Sequence, residues 1–134
     1  MIWIHDGGTY AAKLIDKGTK LMEENKYVET LEVFNEIVNK YPDFAEGYNK
    51  RATVYYLMGH FEKSVRDCEM VLMLNPLHFG ALHGLGLCLM QMKAYHRAIQ
   101  TFQKALKIQP YADANHQCIT YCKLQLSKSG EDGA

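Results

Sequence analysis

The sequence predicts an all-α solenoid: three helix–turn–helix units stacked in register and closed by a capping helix. Three observations predict it. The chain's three prolines, Pro42, Pro76 and Pro110, lie 34 residues apart. Three further sets keep the same period: the small residues Gly18, Ala52 and Gly86, then Thr30, Ser64 and Ala98, then the rings Tyr27, Phe61 and Tyr95. Within each period apolar residues recur at spacings of three and four, as on one face of a helix. A period of roughly 20–50 residues marks a repeat architecture and outranks any residue-by-residue reading.

The units are 11–44, 45–78 and 79–112, with a lead-in at 1–10, a capping helix at 113–127 and a polar tail at 128–134. In the lead-in, Trp3 is a candidate cap for the first unit or a group to lie in a neighbouring molecule's groove; an unstructured tail is the alternative. "DGG" then reads as a helix breaker, so the first helix is expected to start near Tyr10. It carries Leu14, Gly18 and Leu21 along one stripe. After the polar break "ENK", a second helix runs through Tyr27, Leu31, Phe34 and Ile37 until Pro42 stops it, having no amide donor and a ring that clashes with the preceding turn. The second unit pairs "EGYNKRATVYYLM" with "FEKSVRDCEMVLML" across Gly59 and His60, with Gly59 suited to a left-handed helix terminus. The third pairs "GALHGLGLCLMQM" with "YHRAIQTFQKALKI". Gly18, Ala52 and Gly86 are expected to let paired helices approach closely. In the last helix Ala114, Cys118, Cys122 and Gln125 or Leu126 are expected to face the core, with Asn115, Gln117, Thr120 and Lys123 facing water.

At 134 residues the chain is one domain's worth, and its 15 Lys and Arg balance its 15 Asp and Glu. That balance gives no field for nucleic acid or an anionic membrane surface. No apolar run reaches the roughly 20 residues a membrane span needs. The start lacks a secretory signal and reads as the remnant of a longer parent or a short native lead-in. Cys68, Cys88, Cys118 and Cys122 form no C-x-x-C pair, so a reducing, intracellular, soluble setting is expected, with no disulfides and no metal site. Cys68 and Cys88 fall on apolar stripes, where cysteine acts as a small hydrophobe.

These residues resemble the tetratricopeptide repeat. The third unit follows that pattern most closely, through Leu82, Leu85, Gly86, Leu89, Tyr95, Ala98, Phe102, Ala105 and Pro110. The second has Tyr48, Ala52, Tyr55, Gly59, Phe61, Ser64, Cys68, Val71 and Pro76. The first is the most diverged, with Lys17 where leucine is usual. "PDFAEGYNKRATVYYLMG" and "NPLHFGALHGLGLC" further resemble small repeat proteins of bacteria and plant plastids. The resemblance implies a right-handed solenoid and a scaffold that holds a peptide or helix on the concave face lined by the first helix of each unit. Its location would be cytoplasmic, or plastid if a parent chain carries a transit peptide. It also implies a test for the subfamily that clamps acidic chaperone tails. At the five clamp positions this chain has Ile15, Thr19, Lys50, Gly80 and Gly84. None fits, and two glycines stand where cations would pair with carboxylates.

On the family geometry the partner-binding groove is expected to comprise Ile15, Thr19, Met22, Asn49, Lys50, Thr53, Tyr56, His83, Leu87 and Met90. That surface is mostly neutral and apolar to aromatic, with amide and imidazole groups at its centre. Methionine adapts to varied shapes, and an amide can satisfy a bound backbone's donor and acceptor together. The expected partner is an apolar helix or extended segment of another protein. The alternative is self-association through the ends, the groove or the Trp3 segment. Arg51 is expected to brace neighbouring helices rather than bind a ligand. No enzyme or cofactor is expected. The six histidines show no metal-ligand spacing, His83 alone falls on the concave face, and its own unit supplies no acidic orienter.

Overall fold

A computed structural model describes residues 7–130. Among these residues seven helices follow one another: α1 (Gly7–Glu23), α2 (Tyr27–Lys40), α3 (Ala45–Leu57), α4 (Phe61–Leu74), α5 (Phe79–Gln91), α6 (Tyr95–Ile108) and α7 (Asp113–Lys128). No strand occurs among the described residues, so the architecture is the all-α helical repeat that the period predicts. Consecutive helices pack together along the whole chain. In addition α1 touches α3, α3 touches α5 and α5 touches α7, whereas α2, α4 and α6 do not meet one another among the described residues. The odd-numbered helices therefore form the tighter, inner layer, and the even-numbered ones fan out behind them.

The period recurs in the backbone. Asn25, Gly59 and Lys93, one period apart, all have left-handed φ, at 61°, 78° and 63°. Each closes its helix with the same pair of bonds. In the second turn Gly59 N–H donates to Tyr56 O at 3.0 Å and His60 N–H to Tyr55 O at 2.8 Å; in the third Lys93 N–H donates to Met90 O and Ala94 N–H to Leu89 O. This hairpin closure satisfies carbonyls that a helix end would otherwise leave orphaned. The even-numbered helices stop at Lys40, Leu74 and Ile108, each two residues before a proline.

The interior repeats less faithfully than the backbone. Phe34 and Phe102 are fully buried. Each lies so close over a helix that a Cβ on Gly18 would come within 2.3 Å of the Phe34 ring, and one on Gly86 within 2.4 Å of the Phe102 ring. The equivalent pair in the middle unit is Ala52 and Cys68, both buried. A phenyl ring over glycine is thus replaced there by a thiol over alanine.

Arg51 braces as expected. Its Nε and Nη2 donate to both carboxylate oxygens of Asp67 at 2.8 and 2.7 Å, and Nη1 donates to Asn35 Oδ1 at 3.0 Å. The paired carboxylate raises the arginine's pKa further.

Two expectations are corrected. The first described helix already includes Gly7 and Gly8, ahead of the expected start near Tyr10. Glycines in a first turn lose no intrahelical bond, because those amides have no partner within the helix in any case. In α7 the core face is Asn115, Cys122 and Leu126, with Cys118 and Ile119 half-buried, while Ala114 is exposed. Asn115 was expected in water; it is buried because His83, from another repeat, supplies a polar partner. Trp3 lies outside the described residues.

A pocket on the concave face

Five of the ten expected groove residues surround one pocket. Asn49, Thr53 and Tyr56 from α3 and His83 and Leu87 from α5 line it, together with Ala52, Ser64, Cys68, Gly80 and Gly84. Its volume is about 190 Å³. The 3.6-residue turn puts Asn49, Thr53 and Tyr56 on one face of α3, at spacings of four and three. His83 and Leu87 do the same on α5. The other five stand apart from this pocket. Ile15 and Met22 are half-buried and pack against the core of the first unit. Thr19 is half-buried, and its Oγ1 is enclosed without a hydrogen-bond partner. Met90 packs against the core of the third unit, and Lys50 is half-buried.

The rim is held by polar and aromatic contacts. Tyr56 stands edge-on to Phe61 with ring centres 5.4 Å apart, and its hydroxyl accepts from Gln91 Nε2 at 3.3 Å. Thr53 Oγ1 donates to Asn49 O at 3.2 Å, so its side chain is turned back on its own helix. His83 has the orienter that its own unit lacks: Nδ1 lies 2.8 Å from Asn115 Oδ1 on α7, 32 residues away in sequence. The ring also stacks parallel to Phe79 and leans on Phe102. Asn115 Nδ2 is buried with no partner.

The floor is apolar in effect. Ser64 Oγ donates to Ala52 O at 2.7 Å and receives Cys88 Sγ at 3.2 Å, so its hydrogen bonds are made within the protein. Burial pushes the Cys68 thiol up to about 12 and raises Cys88 as well. Both stay protonated and unreactive near neutral pH, since the thiolate is the nucleophile. No Lys, Arg, Asp or Glu lines the pocket. No group of three potential metal ligands occurs among the described residues. The arrangement can enclose an uncharged group and present amide, hydroxyl and imidazole groups at its mouth.

Reasoning from the residues alone found the rim and missed the floor. From the sequence Gly84 reads only as an absent cation, and Cys68 only as a core hydrophobe. The signal that would have found the floor is the aligned series Phe34, Cys68, Phe102, in which the middle member lacks a ring.

A family profile for the tetratricopeptide repeat matches residues 80–111. A TPR repeat-containing protein of Rhizobium etli is 32% identical over 108 residues, covering 81% of this chain and 53% of that protein. The chain is a tetratricopeptide-repeat protein. The Hsp70-Hsp90 organizing protein of Triticum aestivum is 29% identical over 124 residues, 90% of this chain but 21% of its own length. The repeat chain thus spans about half of the bacterial relative and about a fifth of the wheat one. Among solved structures, the first TPR of Spaghetti (RPAP3) bound to the HSP90 peptide SRMEEVD superposes with a TM-score of 0.84 at 20% identity, covering 87% of this chain and 93% of that one. At that identity the likeness speaks for the fold of this repeat protein.

Proposed function

We propose that this tetratricopeptide-repeat protein is a non-enzymatic adaptor that holds an uncharged, apolar segment of a partner protein on its concave face. The observation that carries the reading is the uncharged pocket at the centre of that face. Its mouth is lined by Asn49, Tyr56 and His83 and widened by Gly80 and Gly84. Those two glycines also speak against an acidic chaperone tail, the kind of peptide found on the Spaghetti domain. A carboxylate is held by charge-assisted bonds from Lys or Arg, and Lys50 is the single cation at the five positions compared. The groove is expected to comprise the ten residues from Ile15 to Met90 named above. A reducing intracellular compartment, cytoplasmic or plastid, suits the free thiols. No helix among the described residues is long and apolar enough to cross a membrane.

Two measurements test this. Affinity capture from a native lysate should retain a partner on the wild type and lose it on a folded Tyr56→Glu/Leu87→Glu variant. Equal recovery on both would remove the binding surface from the groove. Calorimetric titration with SRMEEVD should give no salt-sensitive binding; micromolar binding that weakens with salt would restore the chaperone-tail reading.

Self-association is the second reading. It draws on Leu77 and Tyr111, equivalent positions that are 72% and 93% exposed beside the inter-repeat prolines. Tyr10, 41% exposed at the start of the first unit, is engaged within the chain: its hydroxyl donates to Glu36 Oε2 at 2.6 Å and Lys40 Nζ lies over its ring. Sedimentation across a concentration series separates this reading from the adaptor.

A further inference from the structure

We propose that the pocket between α3, α4 and α5 is a receptor for a single uncharged aromatic ring, the phenyl or phenol side chain of the segment held in the groove. The proposal rests on the groove reading and adds the chemistry of its anchor.

The argument begins with the chain's own repeats. Its first and third units place a phenyl ring, Phe34 or Phe102, against a glycine of the facing helix, with no room for even a methyl group between them. In the second unit the ring is missing, and Ala52 restores only one carbon of the deficit. The next inner helix does not close the gap, because Gly84 has no side chain. A Cβ built there would lie 3.5 Å from Cys68 Sγ, an ordinary contact. The opening of about 190 Å³ is therefore the space of a ring that the fold accommodates twice elsewhere. An engineered apolar cavity of about 150 Å³ in another protein binds benzene, so the volume suits a six-membered ring.

The chemistry selects an uncharged ring. No charged side chain lines the pocket, and a desolvated charge there would go uncompensated. Ser64 already has its hydrogen bonds inside the protein, so a ring displacing water from the floor orphans no hydroxyl. At the mouth, Asn49 and Tyr56 remain to bond the backbone that carries the ring.

The test uses the full chain and N-acetyl-phenylalaninamide as probe, read by the methyl carbon–proton spectra of Ala52, Thr53 and Leu87. Wild type should give saturable shifts at these methyls, and N-acetyl-leucinamide should bind more weakly. Ala52→Gly/Cys68→Phe writes the missing ring into the chain and should weaken probe binding about tenfold or more, since a buried phenyl contributes at least that factor. The proposal is overturned by absent shifts in wild type, by an unchanged response in the filled variant, or by preference for the leucine amide. Should the filled variant not fold, Gly84→Ala narrows the same pocket, and an unaltered response to it is equally fatal. Partner capture keeps the two readings apart. If Tyr56→Glu/Leu87→Glu loses the partner while the filled variant keeps it, the groove stands and the ring receptor falls. If the probe saturates the pocket but wild type retains no partner, the receptor stands and the adaptor falls.

Discussion

The middle unit and its two neighbours share a backbone but are held together differently. Around Phe34 and Phe102 the outer units rely on a buried ring packed on glycine. The middle unit has Cys68 over Ala52 instead, and among the described residues it alone carries an ion pair, Arg51 with Asp67, across its two helices. One period earlier those positions are Lys17 and Val33, and one period later Leu85 and Thr101. A unit that gives up apolar area to open a pocket has thus gained a directed polar brace beside it. Binding surface and core are drawn from the same positions, so a repeat cannot maximise both.

The largest expected effect breaks the outer units. Phe34→Ala and Phe102→Ala should each cost about 3–5 kcal/mol in urea melts followed by circular dichroism. Cys68→Ala should cost about 1 kcal/mol, because little beyond a thiol is removed. Equal costs would erase the contrast between the units. The brace comes next. Arg51→Ala should cost about 2–3 kcal/mol, less than a fully enclosed pair, since the Asp67 side chain is 6% exposed but that of Arg51 is 20% exposed. Copying the third unit with Arg51→Leu/Asp67→Thr should fall within about 1 kcal/mol of wild type. If it is as damaging as Arg51→Ala, the pair is more than a local substitute for packing.

A smaller effect is expected at the turns. Lys93 and Gly59 occupy the same left-handed position. A side chain there costs roughly 1 kcal/mol, so Lys93→Gly should raise stability by that amount and Gly59→Lys lower it. Opposite signs in thermal melts are the outcome that counts. A last effect is in pH, and it appears only in alkali. Burial raises Cys68 from an ordinary 9.0 to about 12 and Cys122 to about 11. The unfolded thiols therefore lose protons first as pH rises. Their contribution is complete below pH 9 and declines above it. The urea midpoint should fall between pH 9 and 11, and Cys68→Ala should blunt that fall.

Much of this is legible in the sequence. Three prolines in phase, with helical stripes between them, suffice for the repeat because each signal is local and occurs three times. Gly59 announced its left-handed turn by residue type; Lys93 did not, and only the phase of the repeat points to it. Asn115 misled because a polar residue on a terminal helix is read as solvated, and its burial depends on His83, a contact made 32 residues away. The α7 core face, Asn115, Cys118, Ile119, Cys122 and Leu126, has regular helical spacing once the asparagine is admitted to it. The pocket floor escaped for a different reason. A cavity is a missing volume, and volumes appear only when equivalent positions of different units are subtracted from one another.

The hydrogen bond between His83 and Asn115 ties the mouth of the pocket to the terminal helix. In a stack whose members touch only near neighbours, the terminal helix frays first and most often. When α7 lifts away, Cys122 and Leu126 meet water, and the imidazole at the mouth of the pocket loses the amide that aims it. The last link of the chain thus sets the posture of its middle. Hydrogen exchange of the α7 amides should therefore slow whenever something occupies the pocket, because an occupant and the terminal helix would both hold the His83 ring.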